Sequence, residues 1–574
     1  VLLDPLLDTM FDKVVHLPPT RTRKVQVDKN IGVPMDDGAV LVADHYWPGD
    51  SRSTGSADDP VVLMRTPYGR ASFMPLLARA FAARGAQVVM VSCRGTFGSA
   101  GEWMPMRDEA PDSLATYRWL EAQPWFGGQV VLAGYSYLGY TQWALATQIP
   151  DRIAAMVPHV TSSRLTMPFV REDALDWDLL VRWHFGLEHQ EDSRAALRSA
   201  LKLDEKRVQQ ALLTLPRETV DQDLAGHRWQ FFQDCLRHST SDPHWRPVDH
   251  SGAVATTTTP ASYVAGWYDI FLQDQLRDHA ATMAAGTPHR LTIGPWVHGS
   301  SAGLGAAAAE TLYFALPLAK GRSPGERALV RLYIMGTGEK GSPAPGIAVR
   351  PPEPWRDFDR WPPGGYRPTR LHLTPTAGLT VPAPTEGGPD APGPSHFRYD
   401  PADPTPSCGG PFLGAAAGPK DNRPLEKRDD VLTFTTEPLT ADVEVIGEVS
   451  AEIWFASDLG SADVFVRLCD VEPSGRSTNI CDGIVGIASG SDTETAVMVP
   501  VTLWPTAYRF RRGHRIRVQV SSGSHPRYAL NPGTGEPRAS ATRMLIADQR
   551  VWHDADHPSA IVLPVADAHR ATLT

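Results

Sequence analysis

The apolar positions of this chain change period several times, and each change marks a new kind of element. From Lys24 to Trp47 they alternate: Val25 and Val27 stand among polar residues, Asp36-Asp37-Gly38 is a turn signal, and Val40-Leu41-Val42 runs back out. That pattern predicts a β-hairpin, with the residues before it a loosely attached extension. Val61 to Arg65 is then a continuous apolar run, and Pro75 to Arg84 is an Ala/Leu-rich helix closed by Gly85. Gln87 to Ser92 is a second strand. Leu114, Tyr117 and Leu120 recur at helical spacing between Asp112 and Gln123. A further strand opens at Gln129, a helix is predicted over Thr141 to Gln148, and Ile153 to Val157 is the next strand. Strands that are apolar throughout and alternate with helices predict a parallel sheet covered on both faces. Ligands of such sheets bind at the carboxyl ends of the strands.

Between about Ser163 and Gly252 the strand signal disappears. Leu175, Leu179 and Trp183, then Leu197, Leu201 and Leu212, mark amphipathic helices, and Trp229-Gln230-Phe231-Phe232 adds a bulky apolar patch. An all-helical insertion is predicted, placed to roof a site at the sheet edge. Sheet pattern resumes with Ala261 to Ala265 and Arg290 to Ile293. From Gly341 to Pro394 the chain is rich in Pro and Gly, a boundary composition. Beyond it period-two strands dominate, as in Val443-Glu444-Val445, Glu452-Ile453-Trp454, Asp463 to Leu468 and Arg515 to Val520, and an all-β sandwich fits. The expected architecture is α/β: an α/β-hydrolase domain in two parts (1–163 and 252–367), a helical cap (164–251) and a jelly-roll (368–574).

Composition narrows the function classes. A chain of 574 residues is too long for one core. A net charge of −10 argues against nucleic acid or an anionic membrane as the main partner. No uninterrupted apolar run approaches the roughly 18 residues of a membrane span. Val1-Leu2-Leu3-Asp4-Pro5 lacks the basic and apolar segments of a secretory signal. Five scattered cysteines without CxxC spacing read as free thiols of a reducing compartment, with Cys469 and Cys481 the nearest pair for a single disulfide. A cytoplasmic location is expected. No phosphate-binding loop or nucleotide fingerprint stands out, and no cofactor is expected. His553-Asp554-Ala555-Asp556-His557 offers metal-ligand side chains but lies in a late loop before Pro558, where a solvated loop is the simpler reading. No metal site is expected.

The chemistry gathers around Gly134-Tyr135-Ser136-Tyr137-Leu138-Gly139. Strand, sharp turn and helix would push the Ser136 hydroxyl out of the sheet top. A serine hydroxyl is a poor nucleophile until a base takes its proton, and the base needs an orienting carboxylate. In α/β-hydrolase folds the chain order is Ser, Asp or Glu, then His. Val264-Ala265-Gly266-Trp267-Tyr268-Asp269 ends one strand with an aspartate, and Leu291 to His298 ends the next with a histidine. Ser136, Asp269 and His298 are therefore the expected nucleophile, orienter and base. Either of the last two alone would be an unremarked helix cap or loop residue; the required order at three strand ends is what singles them out. The backbone N–H of Tyr137 and the phenol of Tyr68, in Met64-Arg65-Thr66-Pro67-Tyr68-Gly69, are candidate oxyanion donors.

These pieces, with Val33-Pro34-Met35-Asp36-Asp37-Gly38, Ser92-Cys93-Arg94-Gly95, Arg428-Asp429-Asp430-Val431-Leu432 and Gly513-His514-Arg515, resemble the CocE/NonD family of serine hydrolases. That group includes cocaine esterases, α-amino-acid ester hydrolases and X-prolyl dipeptidyl peptidases. The resemblance spans nearly the whole chain and implies the three-part architecture and the roles given above. It also implies an acyl pocket containing Phe271, with Phe169 and Phe412 as further aromatic members, and a homodimer. In the amino-acid ester hydrolases acidic residues just after the triad aspartate hold the substrate ammonium. Here Ile270-Phe271-Leu272-Gln273 intervenes before Asp274. The expected activity is hydrolysis of a small-molecule ester with an apolar or aromatic acyl group. An aminopeptidase or amidase, or an acyltransferase of the same family, is the second reading, and a carbohydrate-binding or scaffold role of the jelly-roll a third.

Overall fold

The computed structural model describes residues 17–49, 55–71, 74–165, 169–171, 174–192, 204–338, 353–388, 393–487 and 495–573. The chain divides into two compact units, one of residues 1–165, 243–332 and 341–359, the other of residues 166–242, 333–340 and 360–574.

The first unit is built on a ten-stranded sheet. Its elements are β1 (Val25–Pro34), β2 (Val40–Pro48), β3 (Val61–Thr66), α1 (Met74–Ala82), β4 (Gln87–Ser92), α2 (Glu109–Glu121), β5 (Val130–Tyr135), α3 (Tyr137–Ala146), β6 (Ile153–His159), β7 (Ala261–Tyr268), α4 (Leu272–Ala284), β8 (His289–Val297), α5 (Ser301–Glu310), β9 (Val330–Tyr333) and β10 (Trp355–Phe358). The strand order is β1-β2-β4-β3-β5-β6-β7-β8-β9-β10. From β4 through β9 neighbouring strands are parallel. The predicted hairpin β1–β2 joins that core antiparallel, through β4, so the sheet is mixed. Every residue of β3, β4 and β7 is buried. A strand covered on both faces has no solvent side to carry polar residues at every second position, which is why these runs lack alternation.

The α3 helix starts at Tyr137, four residues before the predicted Thr141. All ten of its residues are buried, so it shows no apolar stripe to betray its start. A second helical run was also unpredicted. From Ser301 to Ala319 the chain is helical for 19 residues, long and apolar enough to cross a membrane, with an 18-residue window of mean hydropathy 1.3 that is 67% buried inside the protein. Glu310 and Thr311 interrupt it in sequence, which hides its overall apolar character.

The second unit combines the helical segment with the C-terminal sheets. Helices Trp177–His189, Glu205–Leu212, Val220–Ala225 and Gln230–Arg237 form the segment. It is not wholly helical, since Val170–Arg171 pairs with Ala174–Leu175 in a small antiparallel ladder. Leu197 and Leu201 lie outside the described residues. Asp176 accepts a hydrogen bond from the N–H of Leu179 and caps the first helix. This segment bonds directly to chain more than 300 residues away. Trp177 N–H donates to Arg527 O at 2.7 Å, Arg217 donates to Arg538 O at 2.7 Å and to Leu530 O, and Glu218 N–H donates to Ala539 O at 3.1 Å. The C-terminal part is antiparallel, a nine-stranded sheet and a four-stranded sheet made of Leu432–Thr435, Arg515–Ser521, Ala462–Val471 and Ser477–Ile487. This is the expected α/β-hydrolase fold with a jelly-roll domain.

Cys93, Cys235, Cys408, Cys469 and Cys481 are free thiols. The late His-Asp loop is solvated in part, with Ala555 and Asp556 exposed, but its first two residues are buried. His553 is 2% exposed and meets Ser395 Oγ at 3.1 Å, while Asp554 Oδ1 accepts from the N–H groups of Asp556 and His557 at 2.8 Å each. Its side chains close a turn.

Candidate active site

Three strands of the parallel core deliver one side chain each, and each side chain belongs to the first residue past its strand. Ser136 follows β5, Asp269 follows β7 and His298 follows β8. His298 Nε2 lies 3.0 Å from Ser136 Oγ, and His298 Nδ1 lies 2.8 Å from Asp269 Oδ2. Asp269 is fully buried, and its other oxygen, Oδ1, accepts the N–H of Phe271 at 2.8 Å. A buried carboxylate facing Nδ1 selects the tautomer with hydrogen on Nδ1, which leaves the Nε2 lone pair directed at the serine hydroxyl. The three residues singled out from the sequence thus form one continuous relay.

The turn that carries Ser136 is strained. Its backbone has φ 55° and ψ −125°, outside the regions an L-residue prefers. Neighbouring bonds hold it there: Ser136 N–H donates to His159 O at 2.9 Å, and Thr161 Oγ1 donates to Ser136 O at 2.7 Å. Two glycines make room. A Cβ at Gly134 would lie 2.5 Å from Leu138 Cβ, and one at Gly139 would lie 2.3 Å from Thr161 Cγ2. The spacing Gly-x-Ser-x-x-Gly is therefore a steric requirement of strand and helix meeting at the serine.

Tyr137 is the first residue of α3, so its N–H belongs to the first turn, where backbone donors point away from the helix body. Tyr68 lies two residues past β3, its N–H bonded to Thr66 Oγ1 at 3.0 Å. The Tyr68 and Tyr137 rings meet edge to face with centroids 6.5 Å apart. Phe271 is buried, its ring centroid 5.5 Å from that of His298. Phe169 is buried in the second unit among Trp183, His184 and Phe231, and Phe412 is buried within that unit as well.

Several residues near the relay carry no sequence signal. His159, at the end of β6, is fully buried, and burial with the nearby His298 depresses it to about 3. It stays neutral at working pH and adds no charge beside His298. Glu109, at the start of α2, accepts the Tyr137 hydroxyl at 2.9 Å. Burial, reinforced by Glu109, holds the Tyr137 phenol well above its ordinary value, so it remains a donor. Gln142 Nε2 donates to Gly134 O at 3.0 Å and Val157 O at 3.1 Å, pinning α3 across β5 and β6. Apart from the bond between Gln142 and Gly134, eight residues apart, these contacts join positions 15 or more residues apart, beyond any motif.

A serine hydroxyl, a neutral imidazole and a buried carboxylate in series can activate the serine for attack on an acyl carbon. Asp269 and His298 are bonded to each other, and among the described residues they do not gather with a third side chain into a metal-ligating set.

Residues 37–300 match the model for X-Pro dipeptidyl-peptidase (S15 family), and residues 326–562 match that for the X-Pro dipeptidyl-peptidase C-terminal non-catalytic domain. The chain is 31% identical to a cocaine esterase of Rhodococcus sp. (strain MB1 Bresler), over 94% of this chain and 98% of that one. Two solved structures share the fold. An aminopeptidase from a marine sediment Thaumarchaeota archaeon matches with a TM-score of 0.78 at 21% identity, covering 96% of this chain and 97% of that chain. An α-amino acid ester hydrolase matches with a TM-score of 0.72 at 20% identity, covering 96% and 98%.

Proposed function

Because the chain belongs to the CocE/NonD family of serine hydrolases, we propose that it cleaves small-molecule esters through an acyl-enzyme on Ser136, with an apolar or aromatic acyl group. The observation that carries this reading is the relay from Ser136 Oγ through His298 to Asp269, with contacts of 3.0 and 2.8 Å. Ser136 Oγ attacks the acyl carbon while His298 Nε2 takes its proton. The tetrahedral oxyanion is met by the Tyr137 N–H and the Tyr68 phenol, each worth a few kcal/mol in a dry site. The carbon–oxygen bond to the alcohol then breaks as His298 returns the proton to the leaving oxygen. Water repeats the sequence on the acyl-enzyme and regenerates Ser136. Asp269 stabilises the imidazolium that forms twice in each cycle. Phe271, beside His298, supplies an apolar surface for the acyl group.

An aminopeptidase reading is favoured by the family model and weakened by one local feature. Recognition of a free α-ammonium needs an accessible carboxylate near the site. Asp274, the first acidic residue after Asp269, is 1% exposed and accepts a bond from Arg277 at 2.8 Å. We therefore place ester hydrolysis first. A panel of aryl esters and aminoacyl-proline anilides separates the readings. Ester turnover should dominate, Ser136→Ala should abolish it, and mass spectrometry of a trapped intermediate should find the acyl group on the peptide containing Ser136. Anilide cleavage well above ester turnover would overturn the assignment in favour of a peptidase, and full activity in Ser136→Ala would end it.

A further inference from the structure

Beneath the two candidate oxyanion donors lies a buried ionic network that the hydrolytic cycle does not itself use. Arg65, Glu109, Asp112 and Tyr137 are exposed by 2%, 4%, 2% and 1%. Arg65 Nη1 lies 2.8 Å from Glu109 Oε2 and also donates to Glu109 O at 2.9 Å and to Ser113 Oγ at 2.5 Å. Glu109 Oε1 accepts the Tyr137 hydroxyl at 2.9 Å, and that same hydroxyl accepts Met106 N–H at 2.7 Å. Asp112 is held by Arg94 at 2.6 and 3.1 Å, and Arg94 continues to Asp37 at 2.7 Å.

The placement of these groups is more specific than stability requires. A buried ion pair contributes little net stability, since an apolar replacement of similar volume is often neutral or better. Arg65 sits near the end of β3, three residues before Tyr68, and Tyr137 directly follows Ser136. Glu109 therefore holds the two chain segments that supply the oxyanion donors, one by its guanidinium and one by its phenol. Above it the Tyr68 and Tyr137 rings are in edge contact, and Trp103 packs on Tyr137 with centroids 6.2 Å apart. On the Tyr68 side, Arg70 is fixed by Asp44 at 3.1 Å and donates to Ser92 Oγ, which stiffens the loop from its other end.

We propose that Glu109 is a positioning residue for the oxyanion site: by gripping Arg65 and the Tyr137 hydroxyl together it sets the spacing between the Tyr137 N–H and the Tyr68 phenol. The inference rests on the serine-hydrolase reading. An error of about 1 Å in such a site costs on the order of a hundredfold in rate, so a residue that never touches substrate would be read in kcat.

The test compares wild type, Glu109→Gln and Tyr137→Phe on one aryl ester, with competent sites counted by titration to completion with a fluorophosphonate. Affinity for an arylboronic acid is measured alongside, because its tetrahedral adduct on Ser136 places a charged oxygen at the oxyanion position. Both variants should lose about 10- to 100-fold in kcat per titrated site, keep KM within about twofold of wild type, and lose boronate affinity in step with kcat/KM. Wild-type kcat and boronate affinity per titrated site would overturn the proposal, because the loss would then lie in the number of folded sites. A rise in KM at constant kcat would overturn it too. If Glu109→Gln fails to fold, Tyr137→Phe decides alone, since it removes only the hydroxyl and leaves Arg65 paired. Failure of the hydrolase reading itself would show differently, as wild type inert toward esters or Ser136→Ala still active.

Discussion

Replacing Asp269 by Asn changes one atom and should nearly silence the enzyme. Both Asp269 oxygens accept hydrogen bonds at 2.8 Å, Oδ2 from His298 Nδ1 and Oδ1 from the Phe271 N–H. Asn has a single acceptor oxygen. The Phe271 N–H cannot change its role, whereas an imidazole can, so the Asn oxygen should turn to Phe271 and its NH2 to His298. The ring then carries hydrogen on Nε2, pointing it at Ser136 Oγ, and can no longer take the serine proton. The imidazolium also loses its counter-charge. At a separation near 4 Å and an effective dielectric of about 20, that interaction is worth about 4 kcal/mol, or roughly a thousandfold in rate. With the tautomer change added, kcat on an aryl ester should fall about 10³- to 10⁴-fold while KM stays within a few-fold. The assay is release of the phenol followed by absorbance from pH 6 to 9, beside a thermal melt to verify folding. A variant within about tenfold of wild type across that range would refute the assignment of Asp269 as orienter, and with it the tautomer argument.

Three further outcomes follow from the same geometry. Gly139→Val should fold poorly or lose Ser136 reactivity, because even a Cβ there comes within 2.3 Å of Thr161; fluorophosphonate labelling and a thermal melt check this, and wild-type labelling would contradict it. His45, His159, His184, His250, His279 and His525 are pushed down to between about 3 and 4, mainly by burial. Their folded values lie below the unfolded 6.5, so the stability they contribute is present above pH 6.5 and is lost as pH falls toward 3, each group at about 1.4 kcal/mol per pH unit in that window; urea midpoints from pH 8 to 4 should drop progressively, with net proton uptake on unfolding. Asp278 has the opposite sign. Burial raises it from 3.8 to about 7, although Ser163 donates to it through both N–H and Oγ at 2.7 and 2.6 Å. Its stabilising contribution is complete below pH 3.8 and is lost as pH rises through about 7, so Asp278→Asn should be more stable relative to wild type at pH 8 than at pH 5, by at most about 3 kcal/mol.

What the sequence disclosed depended on how local the cause was. The strands β3 to β8 were legible because burial on both faces writes an unbroken apolar run, whereas the short strands β9 and β10 were not, and Ser136, Asp269 and His298 stood out because each closes such a run in a fixed order. The start of α3 was not legible, since a helix buried all round has no polar face to give it a period. The 301–319 helix was hidden by the polar pair in its middle. Glu109 left no trace at all: it reaches Arg65 and Tyr137 from a helix with an ordinary acidic first turn, and nothing in that turn distinguishes a network carboxylate from a favourable helix-end charge. The bonds from the helical segment to Arg527, Leu530, Arg538 and Ala539 were beyond sequence reading for the same reason, since neither end carries a pattern that names the other.

Those last bonds also set a timetable. Trp177, Arg217 and Glu218 are made early in synthesis, and the carbonyls that accept their hydrogen bonds are made more than 300 residues later. At roughly 5 to 20 residues per second, the helical segment waits about 15 to 60 s on the ribosome before its partners exist. During that interval Ala174, which in the finished protein is buried with Phe465, Ile484 and Tyr528, has no C-terminal strands to cover it. The first 165 residues, by contrast, already contain β1 through β6 and the strand turn that bears Ser136. A ribosome stalled near residue 500 would thus carry Ser136, Asp269 and His298 while the helical segment still lacks its C-terminal partners, which makes late translation the stage at which a chaperone would matter most.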